Sequence, residues 1–163
     1  DSISYGYYGQ VREILNGEFT VDELSISLDA ADTAFERNVS ILLNAYQYDV
    51  IQFNVGIHTS ENDEIGYADG IARIMDYLQQ NAPNAKIIFA TTTTIGFNTS
   101  NYWVEKRNDA AVKAAKERGI SVNDLYDVCL EEDPPKGDQY HFTDYTVLSE
   151  AVCAAIRTAY NAA

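Results

Sequence analysis

The stretch Gly137-Asp138-Gln139-Tyr140-His141-Phe142-Thr143 holds one of only two histidines in 163 residues. An Asp three residues before a His can turn its carboxylate onto the imidazole, because a short turn brings side chains i and i+3 together. A carboxylate on one ring nitrogen fixes the tautomer and leaves the other nitrogen free to act as a base. A hydroxyl for that base to deprotonate stands at the opposite end of the chain, Ser2 in Asp1-Ser2-Ile3-Ser4. Ser2, His141 and Asp138 together make a Ser/His/Asp set suited to nucleophilic acyl transfer. An Asp-x-x-His tetrapeptide alone is more often a cap or a surface turn, so it gains weight only from its context. Ser2 also reads as a helix cap, although Ser4 is the better cap candidate and Asp1 reads as a carboxylate that ties down the turn.

These residues need elements to bring them together. Residues 9–16 place Val11, Ile14 and Leu15 on one helical face, with Gly17 as a stop. Leu24-Ser25-Ile26-Ser27-Leu28 alternates apolar and polar residues as a half-buried strand does. A helix at about 33–46 carries Phe35, Val39, Leu42 and Tyr46 on one face. Residues 49–55 read as a strand running into Gly56. Tyr67, Ile71, Ile74 and Leu78 mark a helix that ends near Asn81, before Pro83. Residues 86–91 form the most apolar strand, followed by a polar and aromatic loop from Gly96 to Trp103. A helix at about 103–118 ends at Gly119, and 120–124 is a short last strand. A loop through Pro134-Pro135 leads to the Asp138/His141 turn, and a final helix covers about 143–160.

Strands alternating with helices of this length imply right-handed βαβ units, hence a flavodoxin-like, three-layer α/β/α sandwich built on a parallel sheet of about five strands. In such sheets the site lies at the carboxyl ends of the strands. His58, Ala31 and the Asp138/His141 pair all follow strands. Ser2 should follow one too, and nothing precedes Asp1. Either a first strand ahead of Asp1 is missing from the chain or the sheet lacks a member; the first reading is the one favoured here.

The totals restrict function further. One domain, 1–163, is expected at this length, with 46% apolar residues for its core. A formal charge of −14 repels phosphate backbones, which argues against nucleic-acid binding and against strongly anionic substrates such as acyl-CoA. No apolar run is long enough to span a membrane. Cys129 and Cys153 have no metal spacing and read as two reduced, partly buried thiols. The oligomeric state is open. So is the compartment, cytoplasmic or secreted, because a chain that starts at Asp1 can have lost a signal peptide.

At this point the residues can be compared with a known family. The chain resembles the SGNH hydrolases, the GDSL group of esterases and lipases, over nearly its whole length. Asp1-Ser2-Ile3-Ser4 resembles the family's Gly-Asp-Ser-Leu/Ile block without its leading Gly. Ala31-Asp32-Thr33 stands where the second block has Gly-x-Ser/Thr, and Gly56-Ile57-His58-Thr59 where the third has Gly-x-Asn-Asp. Asp138-Gln139-Tyr140-His141 matches the Asp-x-x-His block in full, and Ala90–Thr93 and Val122–Tyr126 are similar to stretches of a bacterial branch.

The resemblance implies a serine esterase with Ser2 as nucleophile, His141 as base and Asp138 as its partner, and no cofactor or metal. The implied oxyanion donors are the amides of Ser2 and Ala31 with the side chain of His58, or of Asn54 if the loop is bulged. Ala31 replaces a Gly and can still offer its amide; His58 replaces an Asn and, when neutral, can still donate. Tyr5, Tyr140 and Trp103 are the candidate substrate-binding rings, suited to a small-molecule or carbohydrate ester, with an acetyl ester the leading reading. The departures at Ala31 and His58 support a second reading, a carbohydrate-binding module with a weakened site. A third, a flavodoxin-like or receiver-like signalling domain, shares only the layered architecture.

Overall fold

The computed structural model describes residues 1–59, 64–96 and 100–162. Its centre is a parallel sheet of three strands among the described residues, β1 (Val50–Phe53), β2 (Lys86–Ala90) and β3 (Ser121–Asn123), in that spatial order. Val50 pairs with Lys86 and Phe53 with Phe89, while Ile88 pairs with Ser121 and Ala90 with Asn123. The helices are α1 (Ser2–Ile14), α2 (Ala34–Ala45), α3 (Glu64–Asn81), α4 (Tyr102–Glu117), α5 (Leu125–Glu132) and α6 (Thr146–Asn161). Parallel neighbours need crossover helices, and these cover both faces of the sheet. On one face α2, α3 and α4 close over Phe53, Ile87 and Phe89 with Ile71, Ile74, Met75 and Ala111. On the other, α1, α5 and α6 bring Val11, Leu15, Leu125, Leu148 and Val152 against Ala90. The three-layer α/β/α expectation holds.

Two expected features differ. The run 24–28 is extended and keeps its alternation, with Leu24, Ile26 and Leu28 half-buried and Ser25 and Ser27 exposed, but it joins no ladder. Side-chain burial alone makes a segment amphipathic; a strand also needs a neighbouring backbone to bond, and β1 bonds only to β2. Among the described residues the sheet therefore has three strands instead of about five. Second, α5 replaces part of the expected loop. It is short and acidic, and is made by its ends: Asp124 accepts the Asp127 amide at the start, and Asp133 at φ 43° with Pro134 behind it stops the helix.

Helix α3 sets the position of the 30–32 turn. Gly70 is buried with the Ala30 carbonyl so close that a Cβ would lie 2.3 Å from its oxygen. Gly9, on the exposed face of α1, has nothing within 4 Å of the same position. Gly70→Ala is expected to destabilise the fold by about 1–3 kcal/mol through overpacking, and Gly9→Ala to stabilise it by about 0.4–1 kcal/mol through helix propensity; paired urea titrations of the two variants against the parent measure both signs.

Candidate active site

Helix α1 begins at its second residue because of its first. The Asp1 carboxylate accepts the amides of Ile3 at 3.0 Å and Ser4 at 3.2 Å, satisfying donors that the first turn cannot bond internally. Asp1 is thus the cap that Ser4 was expected to be. The helix also starts well ahead of residue 9. Its first half contains Gly6 and Gly9, poor helix formers, and is held by packing: Ile3, Tyr7 and Val11 are buried at i, i+4 and i+8. Ser2 becomes the first helical residue, its hydroxyl at the positive end of the helix.

The loop after α5 holds the histidine. Lys136 and Phe142 pair in an antiparallel bridge, Gly137 N–H donates to His141 O at 2.8 Å, and Thr143 N–H donates to Pro135 O at 2.8 Å. Within this hairpin Asp138 Oδ1 accepts the amides of Tyr140 and His141, each at 2.8 Å. Its Oδ2 lies 2.8 Å from His141 Nδ1. With Nδ1 protonated toward that carboxylate, Nε2 is the unprotonated nitrogen, and it lies 2.9 Å from Ser2 Oγ. Hydroxyl, imidazole and carboxylate therefore stand in one hydrogen-bonded row, joined across 139 residues of sequence.

The hairpin is anchored from outside. Lys136 Nζ donates to Thr94 O at 2.5 Å and sits 3.5 Å over the Phe142 ring, and Gly96 N–H donates to Gln139 O at 2.8 Å. Thr94 precedes, and Gly96 opens, the loop expected at Gly96 to Trp103, of which 97–99 lie outside the described residues.

The four expected oxyanion donors are placed differently from one another. Ser2 carries its amide into the first turn beside the hydroxyl. His58 lies on the loop after β1; burial, then the positive charges of the Asp1 amino group and His141, hold its pKa below the usual value, which favours its neutral form. Asn54 has turned inward: its Nδ2 donates to Ala90 O at 2.7 Å and to Thr92 Oγ1 at 3.4 Å, tying the end of β1 to the end of β2. The Ala31 amide donates to Asp29 Oδ1 at 2.8 Å, in a turn that Arg73 clasps through the carbonyls of Ala30, Ala31 and Asp32.

Of the candidate rings, Tyr5 and Tyr140 are exposed beside Ser2 and His141 in sequence. Trp103 instead stacks on the buried Arg107 at 4.3 Å, and Arg107 donates to Gly56 O at 3.0 Å, two residues before His58. Asn108 does similar work next door, accepting from Thr92 N–H and donating to Thr92 O, both at 2.8 Å. These positioning residues escaped the sequence reading. Their one signal was polarity at inward positions of an otherwise apolar helical face. Cys129 and Cys153 are both free and buried. Among the described residues no group of three or more His, Cys, Asp or Glu is placed to hold a metal.

No protein-family model matches the chain, and no curated protein matches it closely enough to count as a relative. Solved structures do match. An acetyl xylan esterase, AlAXEase, superposes with a TM-score of 0.78 at 16% identity, covering 96% of each chain. A carbohydrate esterase family 3 protein from Talaromyces cellulolyticus gives 0.70 at 14% identity, over 96% of this chain and 92% of that one. A GDSL-like lipase structure from Parabacteroides merdae gives 0.67 at 14% identity, over 98% and 81%.

The amides of His141 and Tyr140 and the His141 ring pull the Asp138 carboxyl down to about 2. Folding thus favours its ionised form. That contribution is fully present above the ordinary carboxyl value of about 3.9 and is lost as pH falls through about 2. Asp138→Asn is expected to lower the Tm slightly near neutral pH, the side chain being exposed. The gap to the parent should close between about pH 4 and pH 2, which thermal melts across that range would measure.

Proposed function

Starting from an α/β fold of the SGNH, or GDSL, type, we propose that the protein is a serine ester hydrolase working through an acyl-enzyme. The observation that carries the reading is the row from Ser2 Oγ to His141 Nε2 at 2.9 Å and from His141 Nδ1 to Asp138 Oδ2 at 2.8 Å. His141 takes the Ser2 proton as Oγ attacks the ester carbonyl. Asp138 holds the ring in the needed tautomer and stabilises the imidazolium that forms. The negative charge on the carbonyl oxygen is met by the Ser2 amide at the helix start and by the neutral His58 ring. His141 then returns the proton to the departing alcohol. Water repeats the sequence on the acyl-enzyme and releases the acid.

The Ala31 amide enters this scheme only by leaving Asp29, so the resting site has a weaker oxyanion pocket than three free donors would make. Asn54 takes no part, because its amide is committed to the Ala90 carbonyl. The substrate class proposed is a small acyl ester, acetyl first, on a carbohydrate. Exposed Tyr5 and Tyr140 suit a sugar face, and likeness in fold to an acetyl xylan esterase and a family 3 carbohydrate esterase points the same way.

Hydrolysis of p-nitrophenyl acetate and of acetylated xylo-oligosaccharides tests the proposal. Ser2→Ala is expected to lower kcat by at least about 10³-fold. His58→Ala should lower it by on the order of 10²-fold with KM little changed, the signature of a donor used mainly in the transition state. Equal rates for the parent and Ser2→Ala would remove the hydrolase reading.

A further inference from the structure

The turn at 29–32 is bonded to the loop that carries His58. Thr59, the neighbour of His58, is buried, and its Oγ1 accepts the Ala30 amide at 3.4 Å. The same hydroxyl donates to Asp29 Oδ1 at 3.4 Å. Ala31 is exposed, so a molecule arriving from solvent can reach its main chain. The donor it would meet there is taken: Asp29 Oδ1 accepts the Ala31 N–H at 2.8 Å.

An oxyanion is a negatively charged oxygen held about 2.7–3.1 Å from its donors. The Asp29 carboxylate offers the same kind of atom to the Ala31 amide at the same range. Carboxylate and oxyanion therefore compete for one N–H. The carboxylate has the advantage of a tether only two residues long. Its charge also makes the bond stronger than one to a neutral oxygen.

The turn has other supports. Arg73 reaches the carbonyls of Ala30, Ala31 and Asp32 from α3, and its Nε pairs with Glu36 of α2. The Asp32 amide donates to Asp29 O at 3.0 Å, a main-chain bond that no change of side chain at 29 removes. Asp32 Oδ1 accepts the Ala34 amide at 2.8 Å where α2 begins. Gly70 admits the Ala30 carbonyl against α3. These ties stay in place when the Asp29 carboxylate is taken away.

We infer that Asp29 sets the strength of the oxyanion pocket: its carboxylate occupies the Ala31 N–H and leaves the reaction to the Ser2 amide and His58. Asp29 acts through Ala31 and is a positioning residue, one whose removal adds a donor. The inference rests on the ester-hydrolase reading and supplies a brake on the same site.

Hydrolysis of p-nitrophenyl acetate by the parent, Asp29→Asn and Asp29→Ala, each with and without Ser2→Ala, tests it. Asp29→Ala is expected to raise kcat at least about tenfold, a share of the 10²-fold order that one such donor supplies, with KM little changed. Asp29→Asn keeps an oxygen on the amide but loses its charge, so its rate should fall between the two. Lactic acid in place of Ala31 exchanges the N–H for an ester oxygen and keeps the methyl group; in the Asp29→Ala background it should cancel the gain. A turn that had merely loosened would not respond in this way. An Asp29→Ala protein with the parent's Tm and no gain in kcat overturns the inference, as does a gain that survives the lactic acid exchange. Where Asp29→Ala is unstable, Asp29→Asn decides, and a rate no higher than the parent's overturns it. A parent rate that survives Ser2→Ala removes the hydrolase reading and this inference together. A Ser2-dependent parent with no gain in either Asp29 variant removes this inference alone.

Discussion

Two hydrogen bonds accepted by one carboxylate decide where α1 begins, and the geometry of the site follows from that start. A cap of this kind is worth about 1 kcal/mol, little against the whole fold, yet it makes Ser2 the leading residue of a helix. The helix is then located by contact. At Gly6 the ring of Tyr145 comes so near that a Cβ would lie 2.2 Å from its Cζ. Tyr145 in turn accepts the Phe142 amide at 3.4 Å and stacks edge-on against the Phe142 ring. Phe142 is the neighbour of His141. A short chain of contacts thus runs from the start of α1 to the histidine loop, so hydroxyl and imidazole are set by shared packing, with their own hydrogen bond as the last link.

The remaining loops at this rim are disciplined through their main-chain oxygens. Arg107 takes the Gly56 carbonyl, Arg73 those of the 30–32 turn, and Lys136 that of Thr94. Each of these segments leaves a secondary-structure element with carbonyls that no ladder or helix can satisfy. Long cationic side chains from elsewhere reach them, and charge-assisted bonds of this type are stronger than neutral ones. Asn108 performs the same task for Thr92 with a neutral amide that imitates a strand partner. Tyr5 and Tyr140 are left exposed outside this scaffold, whereas Trp103 is part of it.

Local features were the legible ones. The Asp138/His141 pair is a turn of four residues whose bonding depends on little beyond itself, so its geometry could be read from spacing. The helices over 34–45, 64–81 and 102–117 follow their apolar periodicity closely. Ser2 could be joined to His141 only by reasoning about where sheets carry their sites, since nothing local links residues 139 positions apart. What escaped the sequence depended on partners. The alternation at Leu24–Leu28 describes its burial correctly but says nothing of a missing neighbour to bond with. The Ala31 amide is suitable by type and is nonetheless held by Asp29, two residues away. Trp103 looks like a cleft ring until the buried Arg107 beneath it is known. Asp124 and Pro134 did mark the ends of α5, but eight residues carry too little periodicity to show a helix between them.

The arginine and lysine clasps have an electrostatic corollary. The chain carries 11 cationic and 25 acidic side chains, and Arg73, Arg107 and Lys136 are turned toward main-chain oxygens. The balance left for the outer surface is more one-sided than the composition implies. A net negative surface of this kind disfavours anions, and the ester hydrolysis proposed above would turn a neutral ester into a carboxylate that such surroundings push outward. Under that proposal, departure of the acid would be assisted by the same arrangement that keeps the loops in place.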